Sequence, residues 1–275
     1  MEAEERLRLK AGLYRQFDAD HGLEVPAEGY GGWGEAEVDL SRRHTGLVLM
    51  HAWDCGAPED FPGWHRAVEY LPRARRIAAK VLPGLLAAVR QAGTPLFHVV
   101  GGGTDYYSHL PGYRRAVELA GPAPRPPAPG KADPTLEALR AVRRREVFVG
   151  EHNEEDVRRG FECLDFMAEA RPQGEEGVAE DSRQLFALCR EAGVNHLVYA
   201  GFAINWCLLL SPGGMAEMSR HGIMCSALRQ AVTAVENRET AREELAKQIG
   251  LWRVALAFGF VFDVDDFVGA LGKGG

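Results

Sequence analysis

Residues 45–53, TGLVLMHAW, run on without the polar alternation of a half-exposed strand. A short continuous run of this kind marks a strand buried on both faces, and such strands belong to parallel sheets covered by helices. Comparable runs follow at 94–100 (TPLFHVV), 145–150 (REVFVG), 194–202 (VNHLVYAGF) and 223–228 (IMCSAL), and VALAFGFVF at 254–262 supplies a sixth. Between them lie stretches with helical spacing. In YLPRARRIAAKVLPGLLAAVRQAG (70–93), Pro72 suits a helix start, Gly93 an end, and Pro83 a kink in the middle. EEGVAEDSRQLFALCREAG is a helix ended by Gly193. CLLLSPGGMAEMSRHG begins as a helix and breaks at Pro212-Gly213-Gly214, and NRETAREELAKQIG is an exposed helix laced with opposite charges. Strands alternating with helices imply right-handed parallel crossovers. The expected fold is therefore α/β, a doubly wound, mostly parallel six-stranded Rossmann-like sheet with helices on both faces.

At 275 residues the chain can bury one large core. The expected organisation is a lead-in over 1–44, with a short charged helix at 2–17 and a Gly-rich irregular stretch after it, then one α/β domain over 45–275. The Pro-rich segment 121–134 is a loop, and no internal repeat is present. A net charge of −7 speaks against nucleic-acid and membrane-surface partners and leaves a small-molecule substrate as the expected partner. The five cysteines, Cys55, Cys163, Cys189, Cys207 and Cys225, contain no CxxC pair. No disulfide framework or structural zinc motif is expected, and a reducing cytoplasm fits. The N-terminal MEAEERLRLKAGLYRQF lacks the apolar core of a signal peptide, and no run reaches the roughly 18 apolar residues of a membrane span.

In a doubly wound sheet, ligands bind beyond the carboxyl ends of the strands. The rule selects His51 to Cys55, His98 to Asp105, Gly150 to Asn153, and Ala203 to Cys207. Cys207 opens a helix, where free amides and the helix dipole favour a thiolate and can hold an oxyanion. The competing reading is a small buried core residue.

The segment GVNHLVYAGFAINWCLLLSPGGMAEMSRHGI, followed by LRQAVTAVENRETA, resembles the nucleophile region of the isochorismatase-like cysteine hydrolases, a superfamily that includes nicotinamidases and carbamoylases. Gly201, Asn205, Cys207, Gly222, Arg229 and Ala231 fall in the family's register. WGEAEVDLSRRHTGLVLMHAW also resembles the family's approach to its first strand. The similarity runs weakly from about Trp33 onward and strongly over 193–240. It implies a six-stranded parallel sheet, a homo-oligomer, Cys207 as the attacking nucleophile, and a cis peptide between Phe202 and Ala203. The amides of Ala203 and Cys207 are then the implied oxyanion donors.

The family carries an Asp base after the first strand and a Lys after the third. Here His51 stands at the Asp position, and Gly150, Glu151 and His152 stand where the Lys is expected. Ile204 replaces the Thr of the cysteine turn, and Gln230 replaces the Asp after Arg229. Three readings follow. In one, His51 is the base for Cys207 and Glu151 orients it, with Trp53, Asp54, His98, Asn205 and Trp206 lining the substrate pocket and no cofactor. In another, His51, Asp54, His98 and His152 gather a divalent metal. In the third, the site binds a small molecule or a partner without catalysis. Structural roles stand beside these: His98 as a hydrogen-bonded core histidine, Asp54 as a loop cap, His152 as an exposed side chain. VVGGGTDYY (99–107) lacks the dinucleotide fingerprint and reads as a flexible loop.

Overall fold

Charged and apolar side chains alternate along RLRLKAGLYR, residues 6–15, and that period of two makes a strand rather than the expected helix. Leu7, Leu9 and Ala11 enter the core while Arg6, Arg8 and Lys10 face outward. In the computed structural model, which describes residues 6–101 and 105–273, this strand β1 (Arg6–Arg15) pairs antiparallel with β2 (Gly32–Ser41) over its whole length. Asp39 of β2 accepts from Arg6 and Arg8 across the hairpin. The lead-in thus belongs to the same sheet as the rest of the chain.

The elements then follow in order. β3 (Thr45–Met50) and β4 (Trp53–Asp54) precede α1 (Pro62–Ala67), α2 (Leu71–Lys80) and α3 (Leu82–Gln91). β5 (Leu96–Val99) leads to α4 (Pro111–Ala120), α5 (Pro134–Glu146) and α6 (Glu154–Glu162). β6 (Asp165–Phe166), β7 (Gly177–Ala179), α7 (Ser182–Ala192) and β8 (His196–Gly201) come next. α8 (Cys207–Leu210), α9 (Met215–Arg220), β9 (Met224–Val232), α10 (Leu245–Ala257), β10 (Val261–Phe262) and α11 (Val264–Gly272) complete the chain.

The main sheet has the order β2-β1-β10-β9-β8-β3-β5-β7. Its six strands from β10 to β7 are all parallel, and the N-terminal hairpin extends them to eight. β4 and β6 form a separate antiparallel ribbon. Helices cover both faces. One layer buries Ala74, Leu82, Leu86 and Phe267 against the sheet, the other Leu185, Leu208, Met218 and Val254. The doubly wound architecture is therefore present, with eight strands in place of six.

Three further assignments differ from the sequence reading. Residues 145–150 are not a strand: α5 runs on through Arg143, Arg144 and Arg145 to Glu146, and Val147 and Phe148 are exposed. The third parallel strand is instead the buried GVA of β7, placed by sequence in the helix that begins only at Ser182. Asp181 caps that helix by accepting from the Gln184 amide. The charged stretch 237–244 is turn, and the helix over 245–257 takes in residues expected in the last strand, which shrinks to Val261–Phe262. The 70–93 segment breaks at Val81 into α2 and α3, with Pro83 in the first turn of α3. Of the Gly-rich stretch 99–107, residues 102–104 lie outside the described residues.

β3 and β8 lie side by side, with Met50 opposite Gly201. Gly201 has φ +124°, and a Cβ there would stand 1.9 Å from the Met50 carbonyl oxygen. Gly222 has φ +80° with open space around it. Gly201→Ala is expected to cost about 3 kcal/mol or more, and Gly222→Ala about 1 kcal/mol. Urea unfolding of the two variants checks this; equal losses would contradict it.

Candidate active site

The central strands β3 and β8 deliver the two residues singled out by sequence, His51 and Cys207. His51 follows β3 directly in a left-handed conformation, φ +54°, its amide donating to the Val99 carbonyl of the neighbouring strand. The imidazole is buried and stacks on Trp53 at 4.0 Å between ring centroids. Gly101 permits this packing, because a Cβ there would meet the Trp53 ring at 2.9 Å. Nδ1 of His51 has no hydrogen-bond partner. Burial pushes the imidazole down to about 3, so it stays neutral throughout the physiological range.

Beyond β8 the chain turns sharply. The Phe202 amide donates to the Met50 carbonyl and the Ile204 amide to Thr233. The Phe202–Ala203 peptide is cis, as the resemblance implies, and a second cis peptide joins Phe148 and Val149. Asn205 does not face the pocket freely: its side chain donates to the Val235 carbonyl and accepts from the Val235 amide, fastening the turn to the segment after β9. The Ala203 carbonyl accepts from the Trp206 and Leu208 amides. Among the described residues, the amides of Ala203 and Cys207 themselves have no hydrogen-bond acceptor.

Cys207 is half-buried at the start of α8. That helix is a single turn of four residues, so its dipole offers a thiolate far less than the longer helix expected from sequence. Trp206 is largely exposed and meets the exposed Phe148 edge-on at 6.1 Å. Sequence reasoning missed Tyr70, at the start of α2. Burial, with Cys207 and Glu69 beside it, drives its hydroxyl well above the ordinary phenol value. Glu69 also accepts from Arg73 and from the Glu236 amide, and Arg73 donates to the Ala234 carbonyl. This clasp ties the start of α2 to the segment that holds Asn205. No local motif announces it, since the partners lie some 160 residues apart in sequence.

The remaining candidates go elsewhere. Glu151 and His152 are exposed in a single 3-10 turn, and no hydrogen bond links Glu151 to His51. Asp54 caps its loop by accepting from the Gly56 amide and pairs with Arg75. His98 is a core histidine: its Nε2 lies 2.9 Å from Glu176, which also holds Arg90. Burial works against the Glu176 carboxylate, but His98, Arg90 and the Gln173 amide outweigh it and hold the carboxyl at about 2. The set His51, Asp54, His98 and His152 is thus not assembled into a metal centre. Asp54, Cys55 and His65 do lie together with ligand spacing. A separate cleft of about 720 Å³ opens at the amino ends of β5 and β7. Its Arg90 pairs with Glu176 and its Arg115 with Glu118 and Glu191, and its Arg114 donates to the Ser108 and His109 carbonyls.

No family model matches the chain. It is similar to the ureidoacrylate amidohydrolase RutB of Serratia proteamaculans (strain 568), 28% identical over 141 residues. The match covers 49% of this chain and 52% of that protein, so the chain spans about half the length of the curated relative it matches. Among solved structures it is similar to a cysteine hydrolase from Pseudomonas syringae pv. phaseolicola 1448A, at 11% identity and TM-score 0.48, covering 86% of this chain and 96% of the other. A putative isochorismatase from Burkholderia xenovorans LB400 gives 14% identity and TM-score 0.48 over 86% and 90%. An N-carbamoylsarcosine amidase from Thermoplasma acidophilum gives 13% and 0.39 over 81% and 97%.

The buried histidines set an acid limit on stability. Burial holds His51 at about 3 and His196 at about 4, and also lowers His98. An unfolded chain binds these protons near pH 6.5, before the folded one does. Folding stability is therefore full above about 6.5 and falls as pH drops towards 3, by up to about 1.4 kcal/mol per pH unit for each histidine. The urea midpoint is expected to hold from pH 8 to 7 and decline steadily from 6.5 to 4.5. A midpoint constant to pH 5 would contradict these depressed values.

Proposed function

We propose that this chain is an isochorismatase-like hydrolase that cleaves a small amide-like substrate through Cys207. The observation that carries the reading is the turn after β8, which presents a half-buried thiol beside two amides without acceptors, those of Ala203 and Cys207. A carbonyl set against the thiol would develop its oxyanion between those amides, where fixed donors stabilise it most. Sγ attacks the carbon, the tetrahedral species expels the amine, and water then releases the acyl group from sulfur. The similarity to an amidohydrolase supports an amide-type bond.

His51 is the base of this reading, at the end of the strand beside β8. Its basicity sets how it acts. An imidazole held at about 3 by burial carries a proton only rarely in the neutral range. A standing thiolate–imidazolium pair is therefore disfavoured, and proton transfer accompanies attack on the bound substrate. We also propose a homo-oligomer, supported by the exposed Val147, Phe148, Trp206 and Leu210. A reducing, cytoplasmic setting is supported by five free cysteines. No helix among the described residues is long and apolar enough to cross a membrane.

A second reading, a pocket that binds without turning over, is favoured by one observation: the His51 Nδ1 has no hydrogen-bond partner to orient the ring. A panel of small amides and ureido compounds separates the two. Turnover is expected, abolished in Cys207→Ala and reduced about 10²- to 10⁴-fold in His51→Asn. Because His51 remains neutral above about 3, kcat/KM is expected to show no fall between pH 7.5 and 5.5 of the kind a free imidazole base would give. Turnover retained in Cys207→Ala would contradict the mechanism. Saturable binding with no turnover would establish the second reading.

A further inference from the structure

We propose that Asp54, Cys55 and His65 form a zinc-binding site where the end of β4, the loop after it and α1 meet. One ligand atom from each lies within 4.8 Å of the other two, so a small closing of the three groups brings them to the roughly 3.3–3.8 Å edges of a tetrahedral site with bonds of about 2.0–2.3 Å. The donors are a carboxylate, a thiol and an imidazole. That mixture suits zinc and does not suit calcium or magnesium, which take oxygen ligands.

Two of the three ligands are held from behind. The ring Nε2 of His65 lies 3.0 Å from the Gly56 carbonyl oxygen. A carbonyl only accepts, so Nε2 carries the proton and Nδ1 of the neutral ring keeps its lone pair. A ring N–H donated to a backbone carbonyl is the usual support of a metal-binding histidine. Arg75 donates to both Asp54 and the Gly56 carbonyl, and the Gly56 amide donates to Asp54 Oδ1. These contacts fix the carboxylate and the loop together. Gly56, at φ +124°, lets the chain turn back between the two ligand residues and His65.

Without an ion, burial and the Asp54 charge push the Cys55 thiol up to about 11, and it packs as an apolar group beside Phe61 and Trp64. A bound ion deprotonates a coordinating thiol outright. Asp54 and the resulting thiolate then supply two negative charges against zinc and the neighbouring Arg75, and water from the Asp54 and His65 side, which is partly exposed, completes the shell. The competing account makes the Asp54–Arg75 pair a loop clasp with no ion.

The test titrates metal-stripped protein with zinc against a chromophoric chelator, and with cobalt(II) as a spectroscopic substitute. One equivalent is expected to bind, with a thiolate-to-cobalt charge-transfer band. Cys55→Ser should remove the band, His65→Gln should weaken zinc binding by at least about 100-fold, and His152→Gln should leave both unchanged. His65 is half-buried, so His65→Gln decides the matter if Cys55→Ser fails to fold. No stoichiometric binding, or a band that survives Cys55→Ser, would overturn the site. None of these readouts depends on Cys207 or on turnover.

Discussion

The hydrogen bond from the Phe202 amide to the Met50 carbonyl joins the two strands on which the candidate site is built. It forms where β8 ends against β3, and it needs the backbones to approach more closely than any side chain allows. Gly201 has no room for a Cβ against Met50, so the residue type at one position sets the distance between the His51 strand end and the Cys207 turn. From that junction the chain is pinned twice more, at Ile204 to Thr233 and at Asn205 to Val235. The thiol therefore sits on a turn braced by three strands' worth of backbone rather than on a free loop.

The same close approach explains the chemistry available to His51. Sinking the imidazole against Trp53, with no charged group or hydrogen-bond partner at Nδ1, removes most of its basicity. A carboxylate in that place would be held ionised only by a nearby cation, and the positions where the family's Lys is expected hold Gly150, Glu151 and His152 instead. A site with a neutral imidazole, two amides and a thiol depends on fixed dipoles rather than on paired charges. In the proposed reaction such a site would favour a neutral electrophile whose negative charge appears only during attack.

Much of this was legible in the residues. The unbroken runs at 45–53, 94–100, 194–202 and 223–228 gave four parallel strands because burial on both faces leaves a plain apolar signature. Two errors have clear causes. The alternation in RLRLKAGLYR was masked by its charges, although Leu7, Leu9 and Ala11 carry the inward face. The third strand is only three residues of GVA, whose small side chains register less than the bulkier apolar run VFV of equal length at 147–149. The candidate site was legible as positions but not as states. His51 and Cys207 were placed by the strand-end rule, whereas the loss of basicity at His51, the capture of His98 by Glu176 and the approach of Tyr70 are tertiary facts. No spacing in the chain encodes them.

The most direct measurement is the mass of the protein quenched during turnover of an amide substrate, followed by peptide mapping. The account expects an added acyl group on the peptide that contains Cys207, lost again on exposure to a strong thiol. Turnover with no covalent adduct, or an adduct on any of the other four cysteines, would contradict Cys207 as the nucleophile.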